Sequence, residues 1–255
     1  MAVSERAASP AGPSRHTVRN PYSALPNWLY PAFVALALTA FGVYTAWVVL
    51  LQPVAQFGQY LSPFDSPLIT FGAIPAGIFV VWAPLVFRGT CYYYRKAYFR
   101  SFFWHPRSCA VDEPQHRRYR GETAFPWVLN NLHRYAFYVI VVQVAFLIFD
   151  AIIAFDFHGH FGVGLGSVIM AVNVLLLSGY TFGCHALRHL AGGSLDCFSC
   201  SAAARARFQL WRGVSVLNIR HDRWAWASLF SVWLTDIYIR VLQHGWIADP
   251  HWILR

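Results

Sequence analysis

The amino-acid sequence predicts an all-α integral membrane protein, a bundle of five transmembrane helices. Two observations carry that prediction. Of the 255 residues, 57% are hydrophobic and 12% charged, with a mean hydropathy of +0.40, against roughly 25% charged residues in a soluble domain. Aromatic residues reach 18%, including 11 Trp and 13 Tyr, the side chains that settle at membrane–water boundaries.

A bilayer crossing needs about 20 apolar residues, and five stretches qualify. The first runs from Trp28 to Leu51 (WLYPAFVALALTAFGVYTAWVVLL). The second begins near Pro67 and stays apolar to Phe87, with Pro75 and Pro84 expected to kink it. Its pattern continues through GTCYYYRKAYFRSFFW, so the helix is expected to extend beyond the lipid. The third covers about Phe125 to Phe155, the fourth about Phe161 to His189, and the fifth about Arg223 to Leu242.

The distribution of Arg and Lys orients these spans. Three basic residues precede the first span, none lies in 52–66, eight lie in 88–124, none in 156–160 and six in 188–223. Only Arg255 follows His244. The positive-inside rule therefore predicts a cytoplasmic N-terminus and an outer C-terminus. The expected organisation is a flexible cytoplasmic tail (1–27), a membrane domain (28–244) with basic cytoplasmic loops at about 88–124 and 188–223, and an outer tail (245–255). This describes a multi-pass protein of the cytoplasmic (inner) membrane.

The net charge of +9 does not point to nucleic acid, because it is concentrated in two loops beside apolar runs. Topology, anionic lipid or a docked protein partner accounts for it better. No Gly-rich dinucleotide fingerprint or P-loop is present, and no internal repeat suggests the two halves of a secondary transporter.

With this orientation all five cysteines fall at the cytoplasmic ends of helices or beyond them, together with His105, His116, His133, His185, His189 and His221. His185 and His189 are i and i+4, on one helical face. Cys197 and Cys200 form a CxxC, a spacing that places two thiolates on one ion. Two constellations follow: a local site of Cys197, Cys200, His185 and His189, or Cys184, His185 and His189 with Cys91. Either suits zinc or a Rieske-type [2Fe–2S] cluster, whose irons take two Cys and two His. The bland alternative is reduced thiols and interfacial histidines.

A single haem b on the cytoplasmic side is a further reading, with His133 facing His185 or His189. Arg134, His133 and Asn130, with Tyr94, Arg95 and His221 as neighbours, offer hydrogen-bond donors beside an apolar trough, which a quinone needs. Asp236 and Arg240 in the fifth span are spaced for an ion pair within one helix.

Four stretches together resemble a known family: RGTCYYYRKAYFRSFFW, GETAFPWVLNNLHRYAFY, LSGYTFGCHALRHLAGG and LNIRHDRWAWASLF. They are similar to the five-helix membrane-anchor subunit of succinate dehydrogenase/fumarate reductase in its actinobacterial form, over about residues 25–245. The resemblance implies flavoprotein and iron–sulfur partner subunits on the cytoplasmic face, with higher-order assembly open, and electron transfer to menaquinone or ubiquinone. It also implies b-haem or, in some actinobacterial forms, a Rieske-type cluster. Carried over by motif, Cys91, Cys184, His185 and His189 are the expected cluster ligands. His133, Cys197 and Cys200 are the alternative ligands. The chain departs from the family pattern at Leu187, where cysteine is frequent, and at CFSC. The rival reading is a metal-binding membrane protein that transports or senses zinc or copper.

Overall fold

Residues 29–51 are apolar on every side, so the helix they form has no polar face to turn to water. In the computed structural model, which describes residues 26, 28–104, 125, 127–193 and 195–253, this helix is α1 (Leu29–Leu51). It buries Pro31, Val34, Val48 and Val49 and exposes Phe33, Leu36, Val43 and Leu50, a surface suited to lipid. The helices that follow are α2 (Ala76–Thr90), α3 (Tyr92–Phe103), a 3₁₀ turn (Trp127–Leu132), α4 (His133–Ile153), α5 (Leu165–Phe182), α6 (His185–Gly192), α7 (Ala202–Asn218) and α8 (His221–Gln243). The expected N-terminal tail up to residue 25, residues 105–124 of the first basic loop, and Cys109 lie outside the described residues.

Among the described residues, four helices are long and apolar enough to cross a membrane: α1, residues 128–153, α5 and α8. The second expected span differs from the uninterrupted helix anticipated. Helix α2 has 15 residues, about 22 Å at 1.5 Å per residue, short of the ~30 Å hydrocarbon layer. It stops at Cys91, whose backbone is extended (φ −63°, ψ 130°), and α3 starts at the next residue. Gly89 lowers helix propensity there, and the Thr90 hydroxyl turns back onto the Val86 carbonyl at 2.6 Å.

The fourth expected helix is also divided. Residues 160–164 form a strand, β4, paired with β3 (Asp156–Phe157) and β5 (His251–Ile253). The hairpin turn uses His158 and Gly159 at positive φ, so the helix waits until Leu165. At its other end, α5 stops at Phe182 and α6 restarts at His185. The second basic loop contains α7, capped by the Ser201 hydroxyl accepting from the Ala204 amide at 3.1 Å.

Helices α4 and α8 pack along α5. Gly179 of α5 permits the close approach of α8, since a Cβ there would fall 2.7 Å from the Trp224 ring. Strand pairs β1–β2 (Gln56–Phe57 with Tyr60–Leu61) and β3–β4–β5 gather at one end of the bundle. That end is held by buried polar groups. Asp236 of α8 accepts from Tyr44, Ser62 and, at 2.8 Å, Arg240, whose guanidinium also donates to the Pro53 carbonyl at 3.0 Å. Arg240 is 4.0 Å from Asp65, which accepts from the Ala55 amide. Nearby, Asp249 accepts from Tyr60, Tyr238 and the Gly166 amide.

The expected pair within α8 is thus the centre of a clamp on the 52–66 segment. Asp236 is fully buried and Arg240 nearly so, so removing the cation strands a buried charge. Arg240→Leu is expected to lower stability by about 3 kcal/mol in thermal unfolding of the detergent-solubilised protein. Adding Asp236→Asn is expected to restore part of that loss.

Candidate functional site

The end of the bundle opposite the strands is built from helix junctions. Cys91 separates α2 from α3, and His133 opens α4 after the 3₁₀ turn. Cys184 separates α5 from α6, and His221 opens α8 after α7. Each junction therefore carries one soft ligand. Cys91 and Cys184 are 2% and 1% exposed and are the free thiols among the described residues.

The four side chains meet as two thiol–imidazole pairs. His133 Nε2 lies 2.9 Å from Cys184 Sγ, and His221 Nε2 lies 3.7 Å from Cys91 Sγ. The Thr90 hydroxyl spends its one proton on Val86, so at 3.1 Å from His133 Nδ1 it accepts from the ring N–H. This fixes the tautomer that leaves the Nε2 lone pair facing sulfur, the arrangement in which a second hydrogen bond orients a metal-ligating imidazole.

Aromatic rings wall the pairs off. His133 stacks on Phe87 at 4.7 Å, Phe87 meets Tyr180 edge-on at 5.4 Å, and Tyr180 stacks on His221 at 4.9 Å. Arg88 lies over the Tyr180 ring at 4.7 Å and bonds Tyr94, the Ala225 carbonyl and Ser228. Among the described residues, the buried His221 Nδ1 has no hydrogen-bond partner. The junctions are tied together by Asn218, whose amide donates to the Gly183 carbonyl at 2.8 Å.

The residues singled out from the sequence divide. Cys91, Cys184, His133 and His221 come together. His185 and His189 lie exposed on α6, outside the two pairs. Cys197 and Cys200 are joined as a disulfide and so present no thiolates. Of the expected quinone residues, Tyr94 is buried, donating to the Ala225 carbonyl at 2.7 Å. Arg95 lies over the Tyr92 ring and exposed Arg134 over Tyr135, while Asn130 keeps a buried amide nitrogen without a partner. Among the described residues no group of three or more His, Cys, Asp or Glu is arranged to hold one metal ion. Two residues the sequence reading passed over are Arg88 and Tyr180; Arg88 was legible as the one charge at the end of an apolar span.

Beside the Cys91–His221 pair a cavity of about 500 Å³ opens between α1, α2, α4, α5 and α8, with Arg88, Tyr94 and Tyr180 at its near end. A methyl group at Gly183 would fall 2.7 Å from the Gly179 carbonyl oxygen, 3.2 Å from Leu217 Cβ and 3.4 Å from His221 Nδ1. Gly183→Ala is therefore expected to cost about 2 kcal/mol from overpacking. It should also speed maleimide labelling of Cys91, measured beside a thermal melt of the same protein.

Comparison with known proteins identifies the family. The family model described as "Actinobacterial succinate dehydrogenase subunit SdhC" matches residues 29–245. A chain of the solved structure "Mycobacterium smegmatis Sdh1 complex in the apo form" is similar, with a TM-score of 0.81 and 36% identity over 98% of this chain and 97% of that one. No curated protein matches the chain. The chain belongs to the actinobacterial family of succinate dehydrogenase subunit SdhC.

Proposed function

We propose that the chain is the electron-transfer membrane anchor of a succinate:quinone oxidoreductase. Succinate oxidation belongs to a flavoprotein partner, and an iron–sulfur partner hands electrons to the Cys/His end of the bundle. Quinone in the membrane takes them up, each molecule consuming two electrons and two protons to become quinol. In this reading the Cys/His end is cytoplasmic, and α2 with α3 completes a fifth membrane segment. The basic residues of 188–223 suit docking to a soluble partner.

One observation carries the reading: two buried free thiols and two imidazoles, each at a helix junction, face one another behind aromatic walls. That donor set fits a Rieske-type [2Fe–2S] cluster, held by Cys91, Cys184, His133 and His221. Such a cluster takes two cysteines on one iron and two histidines on the other, so the mixed thiol–imidazole pairs would have to re-pair, Cys91 with Cys184 and His133 with His221, to hold it. When bound, the cluster would supply one-electron transfer.

The remaining residues condition the site. Thr90 holds the His133 tautomer, Phe87 and Tyr180 exclude water, and Arg88 places a fixed positive charge beside Tyr94 and Tyr180.

Electron paramagnetic resonance on the purified, reduced complex tests this. The wild type is expected to show the low-g signal of a histidine-ligated [2Fe–2S] centre, in addition to the partner's clusters. Cys91→Ser and His221→Ala are expected to abolish that signal, and His189→Ala to keep it. Zinc in place of iron, or a signal untouched by Cys91→Ser, would sink the assignment.

A further inference from the structure

We propose that Cys197 and Cys200 form a thiol–disulfide exchange site: a dithiol reductant opens the bridge, and the oxidised form latches the loop between α6 and α7. The exchange site goes beyond the electron-transfer reading and shares with it only the orientation that places this loop in the cytoplasm.

The bridge is poorly placed to serve as a structural staple. It joins residues three positions apart, and a cross-link over so short a ring removes little freedom from the unfolded chain. Both cysteines lie in the loop after Gly192 and before Ala202, so the bridge ties no helix to another. Nor is it shielded, since Cys200 is exposed and Cys197 half-buried. Structural disulfides resist reduction, whereas exposed ones are the labile and regulatory kind. In a reducing cytoplasm a disulfide is usually transient, catalytic or redox-sensing.

The surroundings give opening a consequence. Phe198, between the two cysteines, packs on Phe208 at 4.8 Å and on Trp211 at 6.3 Å, both in α7. Trp211 in turn lies under the Arg188 guanidinium of α6 at 4.8 Å, and against Gly192, where a Cβ would come within 2.6 Å of its ring. Arg207 of α7 donates to the Leu190 and Ala191 carbonyls of α6, and Arg205 donates to the Ser199 carbonyl at 3.1 Å. Phe198 thus extends the α6–α7 contact, and the disulfide fixes the residues on either side of it. Helix α6 starts directly after Cys184, which pairs with His133, so the latch lies one short helix from the Cys/His centre.

The exchange balances with a dithiol as reductant. One of its thiolates attacks the exposed Cys200 sulfur, the Cys197–Cys200 bond breaks, and Cys197 leaves as a thiolate that takes up a proton. The second thiol of the reductant attacks the mixed disulfide and releases Cys200, which is protonated in turn. Two electrons and two protons pass to the loop, and the reductant ends as a disulfide. An oxidised dithiol runs the same steps backwards.

The test uses the intact purified complex, equilibrated with dithiothreitol or with its oxidised form, quenched in acid and unfolded with a maleimide mass tag. Dithiothreitol without denaturant is expected to add two tags to the chain, and the oxidised form to remove them again. Cys197→Ser is expected to abolish the difference. Phe198→Ala, which withdraws the ring and keeps both cysteines, is expected to weaken the disulfide about fivefold, or about 20 mV in midpoint. Hydrogen exchange of the amides in 195–205 is expected to rise several-fold on reduction, with α5 unchanged. A pair that is reduced only after unfolding, or that never re-forms, would overturn the exchange site. Amide exchange indifferent to the redox state would overturn the latch. In sealed membrane vesicles an impermeant phosphine is expected to open the bridge in inside-out preparations alone. Opening in right-side-out vesicles alone would overturn the cytoplasmic switch and the orientation together, while the electron-transfer reading is still decided by the paramagnetic signal of the same complex.

Discussion

Within hydrocarbon every backbone N–H and C=O needs a partner in the chain, so a helix can be interrupted only where other groups satisfy the freed ends. The architecture of this protein follows from that constraint. Its interruptions are gathered at one end of the bundle, and side-chain and sulfur contacts bind the chain there. Thr90 bonds Val86, the Cys184 sulfur accepts from the Ala186 amide, and Asn218 bonds the Gly183 carbonyl. A residue at such a junction is released from helical spacing and can point across the bundle. Cys91, His133, Cys184 and His221 occupy four of these positions, which is why residues up to 130 apart in sequence meet.

The two ends of the bundle solve different problems. At the strand end, charges are matched inside the protein: Asp236 has Arg240, Tyr44 and Ser62, and Asp249 has two tyrosines and an amide. Such saturation fixes one arrangement of loop and helix. At the Cys/His end, among the described residues, His221 Nδ1 and the Asn130 amide nitrogen are left without partners. Unsatisfied buried groups are costly to fold around, and they sit where ligands of the right chemistry would complete them.

Hydropathy made the helical, membrane-spanning character legible, because apolar runs in α1, α4, α5 and α8 have no soluble counterpart. The Asp236–Arg240 pair was legible too, since i,i+4 spacing on one helix leaves little else for it to do. The division of the second and fourth spans was not. Apolarity continues past Cys91 and past Gly183, and the breaks depend on backbone conformation and on groups such as Asn218 that arrive from elsewhere. The candidate ligands were half legible. Both cysteines stood out in GTCYYY and GCHALRH, but the histidine pair did not follow. The i,i+4 spacing of His185 and His189 says that they share a face of α6, and it does not say that the face turns inward; it is exposed. His133 and His221 have no ligand-like neighbours in sequence, and only the packing of α4 and α8 against α2 and α5 brings them to sulfur.

Membership of the SdhC family, with a similar chain in the Mycobacterium smegmatis Sdh1 complex, gives this end of the bundle its context. The central claim is that Cys91, Cys184, His133 and His221 are the ligands of one iron–sulfur cluster. An experimental density map of the intact complex, with iron located by anomalous scattering, tests it most directly. The account predicts a pair of iron positions lying between the two sulfurs and the two imidazoles. Those four side chains still in direct thiol–imidazole contact, with iron absent or bound at His185 and His189, would contradict it.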